Sequence, residues 1–155
     1  MKKPMSPDSA FAAGPLQGHK ILVVDDEEDI RDFFLTVLAD AGAQICEAES
    51  GDEAIRVARE HRPDLITLDL SMPGHEGIEA YCALREDPDS REIPVCVITG
   101  HPEMRALIYD RPTSPPEGFL PKPVSPEALV STIRRILGLA QRKRERQGRK
   151  TEAAE

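Results

Sequence analysis

The feature that most constrains this chain is an apolar run at residues 65–70 that carries one acidic residue, Asp69, close to its end. Only Thr67 otherwise interrupts the run, so the pattern predicts a strand that is buried on both faces, as in a parallel sheet. Pro73 and Gly74 follow and predict a turn. An ionised carboxylate at the end of a buried strand costs free energy unless a partner uses its charge. Ligands bind at this edge of open parallel sheets, which makes Asp69 the first candidate site residue.

Strand-like and helix-like patterns alternate five times along the sequence. The predicted strands cover residues 20–24, 44–48, 65–70, 94–100 and 118–123. Each is followed by a segment whose apolar residues lie three and four positions apart, which predicts an amphipathic helix. This alternation predicts an α/β fold: a doubly wound five-stranded parallel sheet of flavodoxin-like order 2-1-3-4-5, with helices on both faces. In that order Asp25, Asp26 and Asp69 leave the sheet side by side.

The length of 155 residues leaves room for one domain and two short appendages. We assign residues 1–18 to a flexible leader, residues 19–139 to the domain, and residues 140–155 to a basic, polar C-terminal tail that either prolongs the last helix or frays. The chain has a net charge of −8, although both appendages are basic. The domain is therefore strongly acidic, which disfavours a nucleic-acid partner bound through its body.

The basic run from Arg142 to Lys150 could be a nucleic-acid or membrane-surface arm. Because Glu145 and Gln147 interrupt it and it has no aromatic residue, the sequence favours a solvated helix end or a disordered tail.

The composition also indicates in which cellular compartment the protein is found. No segment approaches the apolar length of a membrane span, so we expect no membrane partner. No apolar block follows Lys2 and Lys3, as it would in a secretory signal. The three cysteines, Cys46, Cys82 and Cys96, are scattered among apolar residues without metal-ligand spacing. They are typical of reduced core residues, and we expect a cytoplasmic location.

The carboxylates of Asp25, Asp26 and Asp69 repel one another if they share a pocket. At about 4 Å and an effective dielectric near 20, each like-charged pair costs roughly 4 kcal/mol. Either a shared proton or a bound divalent cation would relieve this repulsion. Oxygen ligands without histidine or cysteine spacing favour Mg²⁺ or Mn²⁺ over zinc.

Thr99 and Lys122 end the two neighbouring predicted strands at the same edge of the sheet. A hydroxyl and an ammonium beside a metal-binding carboxylate cluster suit a tetrahedral dianion, since they supply donors and positive charge. Together these residues have the chemistry needed to move a phosphoryl group onto Asp69.

Four short motifs occur in a fixed order along the chain. They are Val24 to Glu27, Asp69 to Pro73 with Gly77, Thr99 with Gly100, and Phe119 to Pro123. In this order and spacing they resemble the receiver domain of two-component response regulators, and the resemblance covers residues 19–139. Because too few residues follow Leu139 to build a second domain, we expect a stand-alone, chemotaxis-regulator-like receiver. The alternative is that the sequence is part of a longer protein.

The resemblance implies a role for each acidic residue. Asp69 is expected to be the phosphoacceptor, which takes a phosphoryl group from a histidine kinase or a phosphotransfer protein. Asp26, Asp69 and the Ser71 backbone carbonyl are expected to bind Mg²⁺ directly, and Asp25 through a water molecule. The domain is then not an enzyme, beyond Mg²⁺-assisted self-phosphorylation and autodephosphorylation.

The resemblance also implies that Thr99 and Lys122 contact the phosphoryl group. Thr99 and Phe119 are expected to act as a switch that reshapes a protein-binding face around the fourth helix and fifth strand. Ser71 and His101, each two positions after a motif residue, are expected to tune the lifetime of the phosphorylated state. For His101 the alternative is a rim position without such a role.

One segment departs from the family pattern. Residues 109–117 contain Pro112, Pro115 and Pro116, which predict a shortened fourth helix and a stiff loop. This puts dimerisation through that face in doubt and leaves the oligomeric state open. The sequence does not identify the downstream protein target.

Two other functions remain as alternatives. One is a receiver-like interaction module or phosphate sink without its own output. The other is a phosphatase of the haloacid dehalogenase type, which also uses an aspartyl nucleophile at a strand end. That class needs a general acid two residues after the nucleophile, and Ser71 occupies that position here.

Overall fold

The structure is a computed structural model that describes residues 14–73 and 76–154. Strands and helices alternate through these residues, as predicted. The elements are β1 (Lys20–Val24), α1 (Glu28–Asp40), β2 (Gln44–Ala48), α2 (Gly51–His61), β3 (Leu65–Asp69), α3 (Glu76–Glu86), β4 (Val95–Thr99), α4 (Met104–Tyr109), β5 (Gly118–Pro121) and α5 (Pro126–Ala154).

All neighbouring strands pair in parallel, in the order β2-β1-β3-β4-β5, which confirms the predicted fold. The register keeps the carboxyl ends of the central strands level, because Val24 of β1 pairs with Leu68 of β3. The next residues, Asp25 and Asp69, therefore leave the sheet at the same height. On the other side, Thr99 of β4 pairs with Pro121 of β5.

Each face of the sheet contributes to its own apolar core. Alternate residues of a strand point to opposite faces. Leu22 and Val24 of β1 therefore pack in one core, with α2, α3 and Ile108 of α4. Ile21 and Val23 pack in the other core, with α1 and α5. The central strands β3 and β4 are buried along their whole length, as the uninterrupted apolar runs predict.

Serine side chains start two of the helices. Ser50 accepts a hydrogen bond from the Glu53 N–H at 3.2 Å at the start of α2. Ser125 accepts one from the Ala128 N–H at 3.1 Å at the start of α5. Each serine satisfies a backbone donor that the first helical turn leaves free.

The structure describes part of each predicted appendage, namely residues 14–18 of the leader and residues 140–154 of the tail. Residues 1–13 of the predicted leader lie outside the described residues. The rest of the leader is not free of the domain, because Leu16 is fully buried and its N–H donates to the Ala41 carbonyl at 2.9 Å. The apolar side chain and this backbone hydrogen bond hold the turn at residues 14–18 against the end of α1. At the other end, residues 140–154 continue helix α5.

A network around Arg85 fixes the proline segment that follows the short helix α4. The Arg85 guanidinium donates to the Ile93 carbonyl at 3.2 Å, to the Pro115 carbonyl at 3.1 Å and to the Glu117 carboxylate at 2.5 Å. Glu117 also accepts from the Val95 N–H at 2.7 Å. The Arg85 side chain is only 5% exposed. The network therefore joins the end of α3 to the starts of β4 and β5.

No helix among the described residues combines the length and the apolar character that crossing a membrane requires.

Candidate functional site: an acidic pocket at the carboxyl edge of the sheet

Side chains from four strand ends meet at the carboxyl edge of the sheet. Asp25, Asp69 and Thr99 are 1%, 2% and 0% exposed, respectively. Lys122, which follows β5, places its ammonium nitrogen 2.9 Å from Asp25 Oδ2 and 3.3 Å from Asp69 Oδ2. The structure therefore brings together Asp25, the predicted phosphoacceptor Asp69 and Lys122.

The two carboxylate oxygens of Asp69 have different surroundings. Asp69 Oδ1 accepts a hydrogen bond from the Ser71 N–H at 2.8 Å. Asp69 Oδ2 is buried and accepts no well-directed hydrogen bond from any described residue, although the Lys122 ammonium lies nearby. A buried carboxylate oxygen whose neighbour is an ammonium at ion-pair distance, without a well-directed hydrogen bond, can accept a further ligand.

Lys122 supplies the positive charge within the pocket. Burial lowers the pKa of its ammonium, but the hydrogen bond to Asp25 and the charge of Asp69 outweigh burial and raise that pKa above its ordinary value. The side chain is therefore cationic at neutral pH, since an ordinary lysine pKa is already near 10.4. It offsets only part of the negative charge around it.

Asp25 is held by three contacts. Its Oδ1 accepts from the Glu27 N–H at 2.9 Å, and its Oδ2 accepts from Lys122. Its backbone carbonyl accepts from Arg31 Nη1 at 2.8 Å. Arg31 lies on α1, and its side chain is 9% exposed, with Nε 3.9 Å from Glu47 Oε1. Arg31 was not predicted to support the site. The one indication in the sequence is that this basic residue lies within a helix that has a buried face.

Four acids can place one oxygen each around a common point. The ligand oxygens of Asp25, Asp26, Glu27 and Asp69 all lie within 4.8 Å of one another. The donor set is entirely oxygen, so these residues fit a hard divalent cation such as Mg²⁺. Glu27 belongs to the first quoted motif but was not predicted as a ligand.

Ser71, Thr99 and His101 form the other wall of the pocket. The Ser71 and Thr99 hydroxyl oxygens share a hydrogen bond of 2.7 Å, and the His101 N–H donates to Thr99 Oγ1 at 3.0 Å. The His101 imidazole is 61% exposed, and its Nδ1 lies 3.3 Å from Glu103. In this structure the imidazole therefore lies at the rim, and the roles of Ser71 and His101 in phosphoryl lifetime stay predictions, as does the role of the Ser71 carbonyl.

Gly77 permits the close approach of α3 to the end of β3. A Cβ atom at this position would lie 2.6 Å from the Asp69 carbonyl oxygen and 2.6 Å from Leu70 Cα. Backbone atoms cannot yield to such a contact as a flexible side chain can. The glycine therefore lets the helix pack directly against the segment that carries the candidate acceptor.

Phe119 lies on β5, next to the pocket. Its ring is half-buried against the core that contains α2 and α3. The Arg105 guanidinium of α4 lies 5.3 Å from the Phe119 ring centroid and 5.1 Å from that of Tyr109. One cation therefore links the predicted switch aromatic to a tyrosine on α4.

Comparisons with known proteins agree with this arrangement. The sequence model of the response regulator receiver domain matches residues 21–134. The phosphate regulon transcriptional regulatory protein PhoB of Escherichia coli (strain K12) is 36% identical over 118 residues, which cover 76% of this chain and 51% of PhoB. The chain thus spans about half the length of that relative.

Other relatives match over nearly their whole length. Protein PilH of Pseudomonas aeruginosa is 30% identical over 118 residues, which cover 76% of this chain and 97% of PilH. The structure of the chemotaxis protein CheY4 of Vibrio cholerae matches with a TM-score of 0.68 and 32% identity, over 76% of this chain and 98% of CheY4. Sequence, fold and pocket together place this chain in the family of response regulator receiver domains, the signalling domains of two-component phosphorelays.

Proposed function

We propose that this receiver accepts a phosphoryl group on Asp69 from a histidine kinase or a phosphotransfer protein, and that phosphorylation alters a face which binds a downstream protein. The observation that carries the proposal is the surroundings of Asp69 Oδ2. This buried oxygen lacks a hydrogen bond among the described residues and faces the Lys122 ammonium at 3.3 Å. This position beside a fixed positive charge supports a role as the nucleophile.

Asp25, Asp26 and Asp69 would hold Mg²⁺, and Glu27 lies within the same reach. When bound, the cation supplies charge neutralisation and orientation of the donor's oxygens. Ser71 keeps the Asp69 carboxylate oriented by donating its N–H to Oδ1, the oxygen that does not react. Oδ2 is therefore the Asp69 oxygen that is available to attack phosphorus.

Phosphoryl transfer forms a bond from Asp69 Oδ2 to phosphorus and breaks the bond between phosphorus and the donor atom, which leaves with its electron pair. Lys122 offsets charge on the transferred oxygens, and the Thr99 hydroxyl is available as a hydrogen-bond donor to them. To make that bond, the Thr99 hydroxyl gives up its 2.7 Å contact with Ser71. Asp25 keeps Lys122 in place throughout, through the 2.9 Å ion pair.

The output step follows from the position of Thr99. As its hydroxyl moves toward the phosphoryl group, it vacates space beside β5, and the half-buried Phe119 ring turns inward. That movement alters the contacts of Phe119 with Arg105. The face formed by α4 and β5 then presents a different surface to its protein target.

We further propose that the domain works in the cytoplasm. Cys46, Cys82 and Cys96 are all free thiols in the structure. Burial raises the pKa of the Cys96 thiol to about 12, so this side chain stays protonated and unreactive at neutral pH. Such thiols are typical of proteins kept in a reducing compartment.

A labelling experiment tests the proposed function. We expect radiolabelled acetyl phosphate to label the chain in the presence of Mg²⁺, and EDTA to reduce labelling by at least about 100-fold, because the carboxylates then repel both each other and the donor. The label should be acid-stable and hydroxylamine-sensitive, as expected for an acyl phosphate, and mass spectrometry should map it to Asp69.

Three results would contradict the proposal. The absence of label at saturating donor and Mg²⁺ would favour an interaction module without phosphorylation. Multiple turnovers on a phosphomonoester would instead favour the phosphatase class. Label on any residue other than Asp69 would remove the assigned acceptor.

The variant Lys122→Ala tests the role of the ammonium separately. We expect it to bind Mg²⁺ at least as tightly as the wild type, because a competing cation is removed from beside Asp25 and Asp69. Its phosphorylated form should fail to switch, since nothing then draws the added charge toward β5. NMR shifts of β5 and α4, with and without beryllofluoride, check this, and wild-type shifts in the variant would contradict it.

A further inference from the structure

Helix α5 runs well past the last side chains that anchor it to the domain. Ile136 and Leu137 are its last buried residues, at 1% and 4% exposure. All residues from 141 to 151 are exposed, yet the helix continues to Ala154. At 1.5 Å per residue this exposed part extends for about 16 Å. This arm is helical, which is one of the two alternatives that the sequence left open.

Most of the positive charges along the arm, together with Arg135 of the anchored part of α5, lie on one side of the helix. The residues Arg135, Arg142, Arg146, Arg149 and Lys150, here named the basic stripe, are separated mainly by three, four and seven positions. Such spacings place side chains on the same face of a helix, within an arc of about 100°. All five are exposed, and none forms an ion pair with any residue in the described part of the chain.

Two further bases of the arm lie outside the basic stripe as defined: Lys143 lies at its edge, seven positions before Lys150, and Arg144 lies on the opposite side of the helix. Lys143 and Arg144 line a groove beneath the amino ends of the strands, together with Asp64 and Glu92. These bases are therefore close to acids of the domain itself.

Arg135 and Arg142 of the basic stripe line a separate groove, which contains Asp40 of α1. One acid, Glu145, lies at the edge of the basic stripe, where it accepts a hydrogen bond from Gln141 at 3.4 Å.

We infer that the basic stripe is a binding surface for the phosphate backbone of double-stranded nucleic acid. The stripe is straight and periodic, and a duplex carries a regular line of phosphates, with one charge per about 1.7 Å of its axis. Four of the five bases are arginines, whose planar guanidinium groups bind phosphate oxygens in pairs. The acidic domain is repelled by phosphates, which confines the contact to the protruding arm.

The composition of the arm selects this partner over others that carry negative charge. Residues 141–151 contain no aromatic side chain, so they offer no platform on which single-stranded bases could stack. They contain no large apolar side chain either, so a lipid surface would gain no inserted anchor from them. A second copy of the chain would bring two strongly acidic domains together.

Fluorescence anisotropy with a labelled duplex of arbitrary sequence tests the inference on the full chain. With about five phosphate contacts, we expect the logarithm of affinity to fall with the logarithm of salt with a slope of about −4.5, or about 500-fold between 50 and 200 mM. The double variant Arg146→Gln/Arg149→Gln should bind about tenfold or more weakly at low salt, with the slope reduced by about 2. Glu145→Gln should bind more tightly than the wild type.

The double variant Arg62→Gln/Arg144→Gln is the matched control. It removes the same charge, but both residues line the groove beneath the strands. We expect its affinity to stay within about twofold of the wild type. Circular dichroism should give the same helix content for all variants, and acetyl phosphate labelling should be unchanged, because the stripe is separate from the acidic pocket.

Several outcomes would overturn the inference. One is equal weakening of binding by the stripe variant and the control, which would indicate only a general effect of net charge. Another is stripe-dependent sedimentation with vesicles of phosphatidylserine and phosphatidylcholine but no duplex binding, which would make the partner a membrane. A third is stripe-dependent dimerisation in light scattering without duplex binding, which would make it a second copy.

Discussion

The variant Asp69→Asn should lose labelling by acetyl phosphate by at least about 100-fold, because a neutral amide oxygen cannot replace the carboxylate as nucleophile. The fold should persist. Asparagine has nearly the same shape, and the side-chain oxygen that it retains can still accept the Ser71 N–H. Stability should be equal to or above that of the wild type, since one of four clustered acids is neutralised. Labelling kinetics and urea denaturation measure the two effects.

The variant Asp40→Asn is the matched control for this charge change. Asp40 is exposed and ends α1, at the opposite edge of the sheet from Asp69. It should label at the wild-type rate. Labelling of Asp69→Asn at that same rate would defeat the assignment of the acceptor, whatever the result for the control.

The variant Arg85→Ala should lower the free energy of unfolding by about 3 kcal/mol. Truncation removes the guanidinium that donates to Ile93, Pro115 and Glu117, and leaves their acceptors without that donor. It also removes the contact with the Tyr81 ring, whose centroid lies 5.3 Å from the guanidinium carbon. Urea denaturation followed by circular dichroism measures the loss.

Two further variants separate this network from an ordinary surface charge. Arg56→Ala removes an arginine that is 57% exposed and pairs with Glu60 on the same helix, so we expect a cost of less than about 0.5 kcal/mol. Arg85→Lys keeps the charge but loses the planar fork, and its cost should fall between those of the two alanine variants. A loss for Arg85→Ala no larger than that for Arg56→Ala would show that the network contributes little to stability.

The strands and helices could be predicted because each has its own period. The β3 run is apolar except for Thr67 and Asp69, and α1 repeats its apolar residues every three and four positions. Burial enforces both patterns locally. The position of Asp69 beside Asp25 was predictable as well, because parallel pairing leaves the register of adjacent strands little freedom once both are buried.

Contacts between distant segments could not be predicted in the same way. Leu16 is a single apolar residue among prolines and glycines, and nothing local indicates that it docks against Ala41. Arg85 has the sequence context of an exposed helical arginine, and Arg31 follows the first motif without any special spacing. Their roles depend on which carbonyls come near in three dimensions, and a one-dimensional pattern does not encode that.

The position of Arg105 against both Tyr109 of α4 and Phe119 of β5 has a practical consequence for spectroscopy. The chain has no tryptophan and two tyrosines, so its near-ultraviolet emission comes from Tyr81 and Tyr109 alone. Tyr81 is fully buried, whereas Tyr109 is 45% exposed and lies against Arg105, which also covers Phe119. A rotation of Phe119 that displaced Arg105 would alter the quantum yield of Tyr109 and hence the summed tyrosine emission of the chain. The unmodified polypeptide therefore carries an optical reporter next to the surface proposed to switch.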